Sequence, residues 1–174
     1  MKRLSIPLPM DWKRISEEAA GAADSALIRA KAIELLARRE HSWLELRQKL
    51  VQRGFSSSSI ELVLDQLMED RLLHEGRYAE LYVCSRADRG YGPLRIAGEL
   101  RERGIAEDTV VATLAALEEL WLPKLRELHR KRFNALIPAD TAGRLQQNRI
   151  LRQRGFTLDQ IKHLFEAVSA PVTD

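Results

Sequence analysis

VQRGFSSSSI, residues 51–60, sets a glycine and a phenylalanine behind a helix-like stretch and follows them with four serines. The same shape returns as RERGIAEDTV from Arg101 and as RQRGFTLDQI from Arg152, so the turn glycines Gly54, Gly104 and Gly155 are 50 and then 51 residues apart. Each turn leads into apolar residues at helical spacing: Ile60, Val63, Leu64 and Leu67; Val110, Thr113, Leu114 and Leu117; Ile161, Leu164, Phe165 and Val168. Spacing of i, i+3, i+4 and i+7 lines one face of an α-helix. A glycine between two helices suits the left-handed residue just past a helix C-terminus, where a Cβ is strained.

Each turn glycine has an apolar pair around it. Phe55 faces Leu50, Ile105 faces Leu100 and Phe156 faces Leu151, the contacts a Schellman turn makes. The same three residues are placed to staple onto Ile60, Val110 and Ile161 in the next helix. Ser56 and Thr157 are expected N-caps, and Thr157 with Gln160 fits a capping box. Ala106 has no side chain to cap with, so a less firm start, capped at Asp108 instead, is expected for that helix. Further helices are expected around Ile28, Ala32, Leu35 and Leu36, around Tyr78, Leu81 and Tyr82, and from Lys124 to Ile137. Ser42 with Glu45 opens the second helix of the first copy. The corresponding start in the second copy is Gly92 followed by Pro93.

The unit is therefore three helices in about 50 residues, used three times. No alternation at strand period competes, so the expected fold is all-α, with three tandem three-helix repeats stacked into an elongated, curved array. The expected divisions are a flexible arm over 1–24 and repeats over 25–70, 71–121 and 122–174. DRLLHEGR and LWLPKL mark the boundaries, with Leu72, Leu73, Trp121 and Leu122 filling the seams.

Composition excludes several classes of function. Apolar residues make up 45% and charged residues 30%, too apolar for wholesale disorder. Cys84 stands alone on a helix among Tyr82 and Val83, which reads as a packed thiol and points to a reducing, cytoplasmic compartment. No apolar run approaches the roughly 20 residues of a membrane span. The first ten residues carry two prolines and run into Asp11, Lys13 and Arg14, which fails as a signal peptide.

His41, His74, His129 and His163 are isolated and fit no metal-binding pattern. RGYGPLRI from Arg89 is glycine-rich, yet it has neither the spacing nor the lysine of a phosphate loop. It reads instead as a helix end at Gly90, Tyr91 packed across the turn, and a new helix capped by Gly92 with Pro93 at its first position. With no catalytic constellation, no metal and no cofactor in the pattern, the chain is not expected to be an enzyme.

The net charge of +3 is unevenly spread. Residues 121–154 carry nine basic side chains against Glu127 and Asp140, a net of +7, so the remainder is mildly acidic. Such a region implies a polyanion or an acidic protein surface as partner. Paired helices around a turn also describe a helix-turn-helix reader of duplex DNA. The second helices argue against that alternative: Glu61, Asp65, Glu69 and Asp70 in one and Glu118 and Glu119 at the end of another repel phosphate.

RREHSWLELRQKLVQRGF, RYAELYVCSRADRGYGPLRIAGELRERGI and RQRGFTLDQI closely resemble the bacterial RecX regulatory proteins, from about Ala26 to the C-terminus. RGYGPLRIAGELRERGI is the most specific part. The N-terminal segment lies outside the resemblance, and the third copy matches more loosely. The resemblance implies three three-helix repeats and binding to the RecA recombinase, in the groove of its filament on single-stranded DNA. It also implies restraint of ATP hydrolysis, strand exchange and the coprotease role, and some members contact DNA. On that reading the contact set is Arg86, Arg89, Arg95, Arg101 and Arg103 in the middle repeat and Lys124, Arg130, Lys131, Arg149 and Arg152 in the third. Arg53, Arg103 and Arg154 precede the turn glycines and also serve the negative helix ends, so they rank lower as contacts. With no long apolar stripe left over, a monomer is expected.

Overall fold

The computed structural model describes the backbone of residues 12–169 and the side chains of residues 21–167. Among these residues the secondary structure is entirely helical, a tandem array of three-helix repeats. The described residues divide into two compact units, one of residues 12–39 with 45–73, the other of residues 40–44 with 74–169.

The first unit holds α1 (Trp12–Leu36), most of α2 (Trp43–Val51) and α3 (Ser57–Glu69). Residues 12–24, expected as part of a flexible arm, lie inside α1, and residues 1–11 are outside the described backbone. The alanine-rich stretch there lacks an apolar stripe but has high intrinsic helix propensity, the signal that periodicity misses. α1 packs on α3, with Ile28 and Ala32 against the stripe of Ile60, Val63, Leu64 and Leu67, all buried. Ser56 caps α3 by accepting from the Ser59 N–H at 3.2 Å. Leu73 is buried, whereas Leu72 is 45% exposed.

The second unit joins two repeats. The first consists of α4 (Glu75–Asp88), α5 (Pro93–Glu102) and α6 (Glu107–Ala116), which pack pairwise. Its core gathers Tyr78, Val83, Ile96, Leu100, Ile105, Val110 and Trp121. Leu81, expected on the α4 stripe, is 59% exposed; Ala79, Val83 and Ala87 take the buried face with Tyr78. Cys84 is exposed, not packed, because it sits one residue off that face. α4 starts on a cap the sequence reading did not assign: His74 Nδ1 accepts from the Arg77 N–H at 3.2 Å. Ala106 is the N-cap of α6 without a side-chain bond, so the helix begins at Glu107 and Asp108 does not cap it.

The second of these repeats consists of α7 (Glu118–Phe133), α8 (Thr141–Gln153) and α9 (Leu158–Ser169). The α6–α7 joint is the single residue Leu117, so LWLPKL is no boundary: it runs inside α7 with Pro123. Trp121 and Leu125 turn inward there, and burial of that face holds the helix despite the N–H that proline removes. α7 ends at Asn134, whose φ of 53° is left-handed. Leu125, Leu151, Phe156, Ile161 and Leu164 form the core, with Leu128, Phe133 and Phe165 at its edge. His129 is buried, and its Nε2 lies 3.1 Å from Gln147 Oε1 while Gln147 Nε2 donates to Leu136 O. With the amide so oriented, the imidazole Nε2 carries the donated proton.

Candidate partner-binding surface

The turns that decide the fold also position the charges. Gly54, Gly104 and Gly155 have φ of 89°, 79° and 95°, and Gly90 has 77°. After each, the next N–H reaches back to the carbonyl expected of a Schellman turn: Phe55 to Leu50 at 3.4 Å, Ile105 to Leu100 at 3.2 Å, Phe156 to Leu151 at 3.3 Å and Tyr91 to Arg86 at 3.2 Å. Thr157 and Gln160 make the capping box reciprocally, at 3.0 and 3.1 Å.

Two of these turns meet. The Gly92 N–H donates to Arg154 O at 2.8 Å and the Leu94 N–H to Gly155 O at 3.0 Å. The last carbonyls of α8 thus cap the first N–H groups of α5, head to tail. Glycine is required on both sides: a Cβ on Gly92 would lie 2.5 Å from Gly155 C and O, and one on Gly155 would lie 2.5 Å from Arg95 Cβ. Pro93 follows at the first helical position, where its missing N–H costs nothing.

Tyr91, beside this joint, is the centre of an arginine cluster. The guanidinium carbons of Arg86, Arg95 and Arg154 stand 3.7, 4.7 and 5.1 Å from its ring centre. Glu99 balances them: it accepts from Arg86 Nε at 2.7 Å, from the Tyr82 hydroxyl at 3.0 Å and from Arg95 Nε at 3.2 Å. Burial pushes the Glu99 carboxyl up, but the hydrogen bonds from Arg86, Tyr82 and Arg95 outweigh it and hold it below the ordinary value. Burial, with the bond to Glu99, pushes the Tyr82 phenol up. Arg103 lies over the Tyr82 ring at 4.5 Å and donates to Glu99 O at 2.8 Å.

The expected contact set therefore separates into two groups. Arg86, Arg95 and Arg103 are engaged within the fold. Arg101 pairs with Glu107 at 2.6 Å, Lys124 with Asp88 at 2.6 Å and Lys131 with Glu127 at 2.7 Å. The hydrogen bond to Asp88 raises the Lys124 ammonium above its ordinary value. Arg89, Arg130, Arg149 and Arg152 are exposed and make no ion pair among the described residues. α8, TAGRLQQNRILRQ, carries three arginines and no acid, so Arg149 and Arg152 have no acidic partner on their own helix.

Sequence reasoning missed the apolar component of this surface. Leu94 and Leu145 are 61% and 65% exposed, and with Asn148, Arg149, Arg152 and Phe156 they line a groove of about 490 Å3 beside the glycine joint. The signal was present: Leu145, Arg149 and Arg152 fall at i, i+4 and i+7, so a leucine sits on the charged face of α8. Among the described residues no cluster of histidine, cysteine and carboxylates fits a metal ion. None of the described helices is long and apolar enough to cross a membrane.

Tandem three-helix repeats with cations presented from α8 define a helical repeat protein, the class this fold and surface belong to. Residues 29–67 match the first three-helix domain of RecX and residues 75–114 the second. A protein of Halorhodospira halophila named Regulatory protein RecX is 48% identical over 82% of this chain and 88% of its own length. One of Pseudomonas syringae pv. tomato with the same name is 44% identical over 79% and 88%. The chain belongs to the RecX family. The crystal structure of RecX from Lactobacillus salivarius superposes with a TM-score of 0.72 at 21% identity, over 84% of this chain and 97% of that one. Another crystal structure, of regulatory protein RecX, gives 0.77 at 22%, over 94% and 83%. Both share the fold.

Proposed function

We infer that this chain is a non-enzymatic, cytoplasmic regulator that binds the RecA recombinase filament and restrains its ATPase, strand-exchange and coprotease activities. It thereby modulates recombinational repair and the SOS response. The observation that carries the reading is membership of the RecX family across both matched three-helix domains. The surface chemistry supports it: unpaired arginines on the third repeat suit an acidic protein face, and weak contacts distributed over several repeats add up through proximity. DNA phosphate along the same filament is a further contact for other exposed arginines such as Arg89 and Arg130, without sequence preference. A reader of specific duplex sequence is disfavoured by α6, whose first turn carries Glu107 and Asp108 where phosphate would dock.

The test is the ATPase of RecA on single-stranded DNA, titrated with the purified chain. A dose-dependent fall at substoichiometric ratio supports the reading. An unchanged rate at excess chain, with filament formation verified, refutes it.

A further inference from the structure

We propose that the groove between the start of α5 and the exposed face of α8 is a docking site for an acidic amphipathic segment of a partner protein, with apolar side chains seated between Leu94 and Leu145 and carboxylates on Arg149 and Arg152. Its lining combines two features that ordinarily occur apart. Leu94 and Leu145 are exposed at 61% and 65%, though Phe156 beneath them is buried. Arg149 and Arg152, on the same α8 face as Leu145, have no ion-pair partner among the described residues, whereas Lys124, Lys131, Arg95 and Arg101 all do. An occupant that covers the leucines and neutralises the arginines must itself be apolar in the middle and acidic at the edge.

Nucleic acid fits this lining poorly. Single strands bind through aromatic faces on which bases stack, and the exposed apolar residues here, Leu94 and Leu145, are aliphatic. A phosphate backbone would satisfy the arginines and leave both leucines in water. At about 490 Å3 the groove has the size of a binding cleft, with room for a few side chains. It is also preformed. Two of its lining residues, Leu94 and Phe156, flank the Gly92–Gly155 joint, which the bonds from Gly92 N to Arg154 O and from Leu94 N to Gly155 O hold in place, so little ordering is needed on binding.

The proposal deepens the reading of the chain as a filament regulator and rests on it for the identity of the partner, which is the filament protein. Two measurements separate the two ideas. The first uses a labelled helical peptide with leucine on one face and glutamate on the other, a matched peptide with serine for leucine, and oligothymidylate. Wild type is expected to bind the leucine peptide at least about tenfold more tightly than the serine peptide or the oligonucleotide. Leu145→Asp and the double variant Arg149→Glu/Arg152→Glu are each expected to lose about tenfold of that affinity. Equal binding of the serine peptide, or oligothymidylate binding that depends on Leu145, overturns the proposal. All three residues are exposed, and far-UV circular dichroism verifies that the variants fold.

The second measurement is the RecA ATPase with the same proteins. Restraint by wild type that both variants lose supports the groove as the filament contact. Restraint that both variants retain overturns it. No restraint by wild type itself refutes the filament reading, whereas the peptide result still decides whether the groove binds an acidic amphipathic segment.

Discussion

Substituting alanine for glycine at three positions of the second unit should give effects of opposite sign. Gly98 lies inside α5, and a Cβ there meets nothing within 4 Å. Gly98→Ala should therefore stabilise the unit by about 0.5–1 kcal/mol, the helix-propensity gain over glycine. Gly92, six residues earlier, has extended backbone with φ −96° and ψ 171°, so alanine meets no torsional penalty. Its Cβ would nevertheless stand 2.5 Å from Gly155 C and O and from Phe156 N, all backbone atoms that no rotamer change can move. The joint must open, with loss of the bonds at 2.8 and 3.0 Å, about 1 kcal/mol each, and overpacking of about 1–3 kcal/mol. Gly92→Ala should cost about 3–5 kcal/mol in all. Gly155→Ala meets Arg95 N at 2.6 Å and also carries φ of 95° into an L-residue, which adds about 1–2 kcal/mol. Urea denaturation followed by circular dichroism orders the series. If Gly92→Ala is as stable as Gly98→Ala, the backbone-to-backbone joint is not what holds α5 to the α8–α9 turn.

Glu99 makes stability depend on pH in one direction. Its folded-state value lies below the unfolded one, so its contribution is full above the ordinary glutamate value of about 4.3 and is lost as pH falls through the folded value. The stability gap between wild type and Glu99→Gln should be widest near neutrality and shrink below about pH 4; a gap that is constant with pH removes the carboxylate from this role. Thr157→Ala should cost about 1 kcal/mol, and adding Gln160→Ala should cost less than the sum of the separate changes, since the two bonds form one box. Lys124→Gln and Lys131→Gln should leave RecA restraint near wild type because both cations are paired within the fold, and Arg149→Glu/Arg152→Glu should weaken it. Equal loss from both pairs would mean that net charge alone, not the α8 face, makes the contact.

Much of the fold was legible because Gly54, Gly104 and Gly155 announce their conformation through chemistry: a left-handed residue flanked by leucine and an apolar partner has few other readings. The stripes of α3 and α9 were equally clear, since one buried face of a helix writes its period into the sequence. Where burial is not a simple stripe, the reading failed. Ala79 and Ala87 took the core side of α4 and left Leu81 outside, because small residues permit close helix approach and carry little hydrophobic signal. LWLPKL looks like a module boundary in the sequence, yet it lies inside α7, where buried Trp121 and Leu125 hold the helix through Pro123. At the surface, arginines were easy to count and hard to sort. Only the fold brings Glu99 to Arg86, Asp88 to Lys124 and Glu107 to Arg101, and so distinguishes cations engaged within the protein from Arg149 and Arg152.

The most direct test of the account compares binding of the labelled chain to preformed RecA filaments on single-stranded DNA with binding to bare duplex, over a salt series. The account predicts tight association that requires RecA, and only weak, sequence-independent, salt-sensitive association with duplex. Preference for a particular duplex sequence, with filaments binding no better than bare DNA, would contradict it.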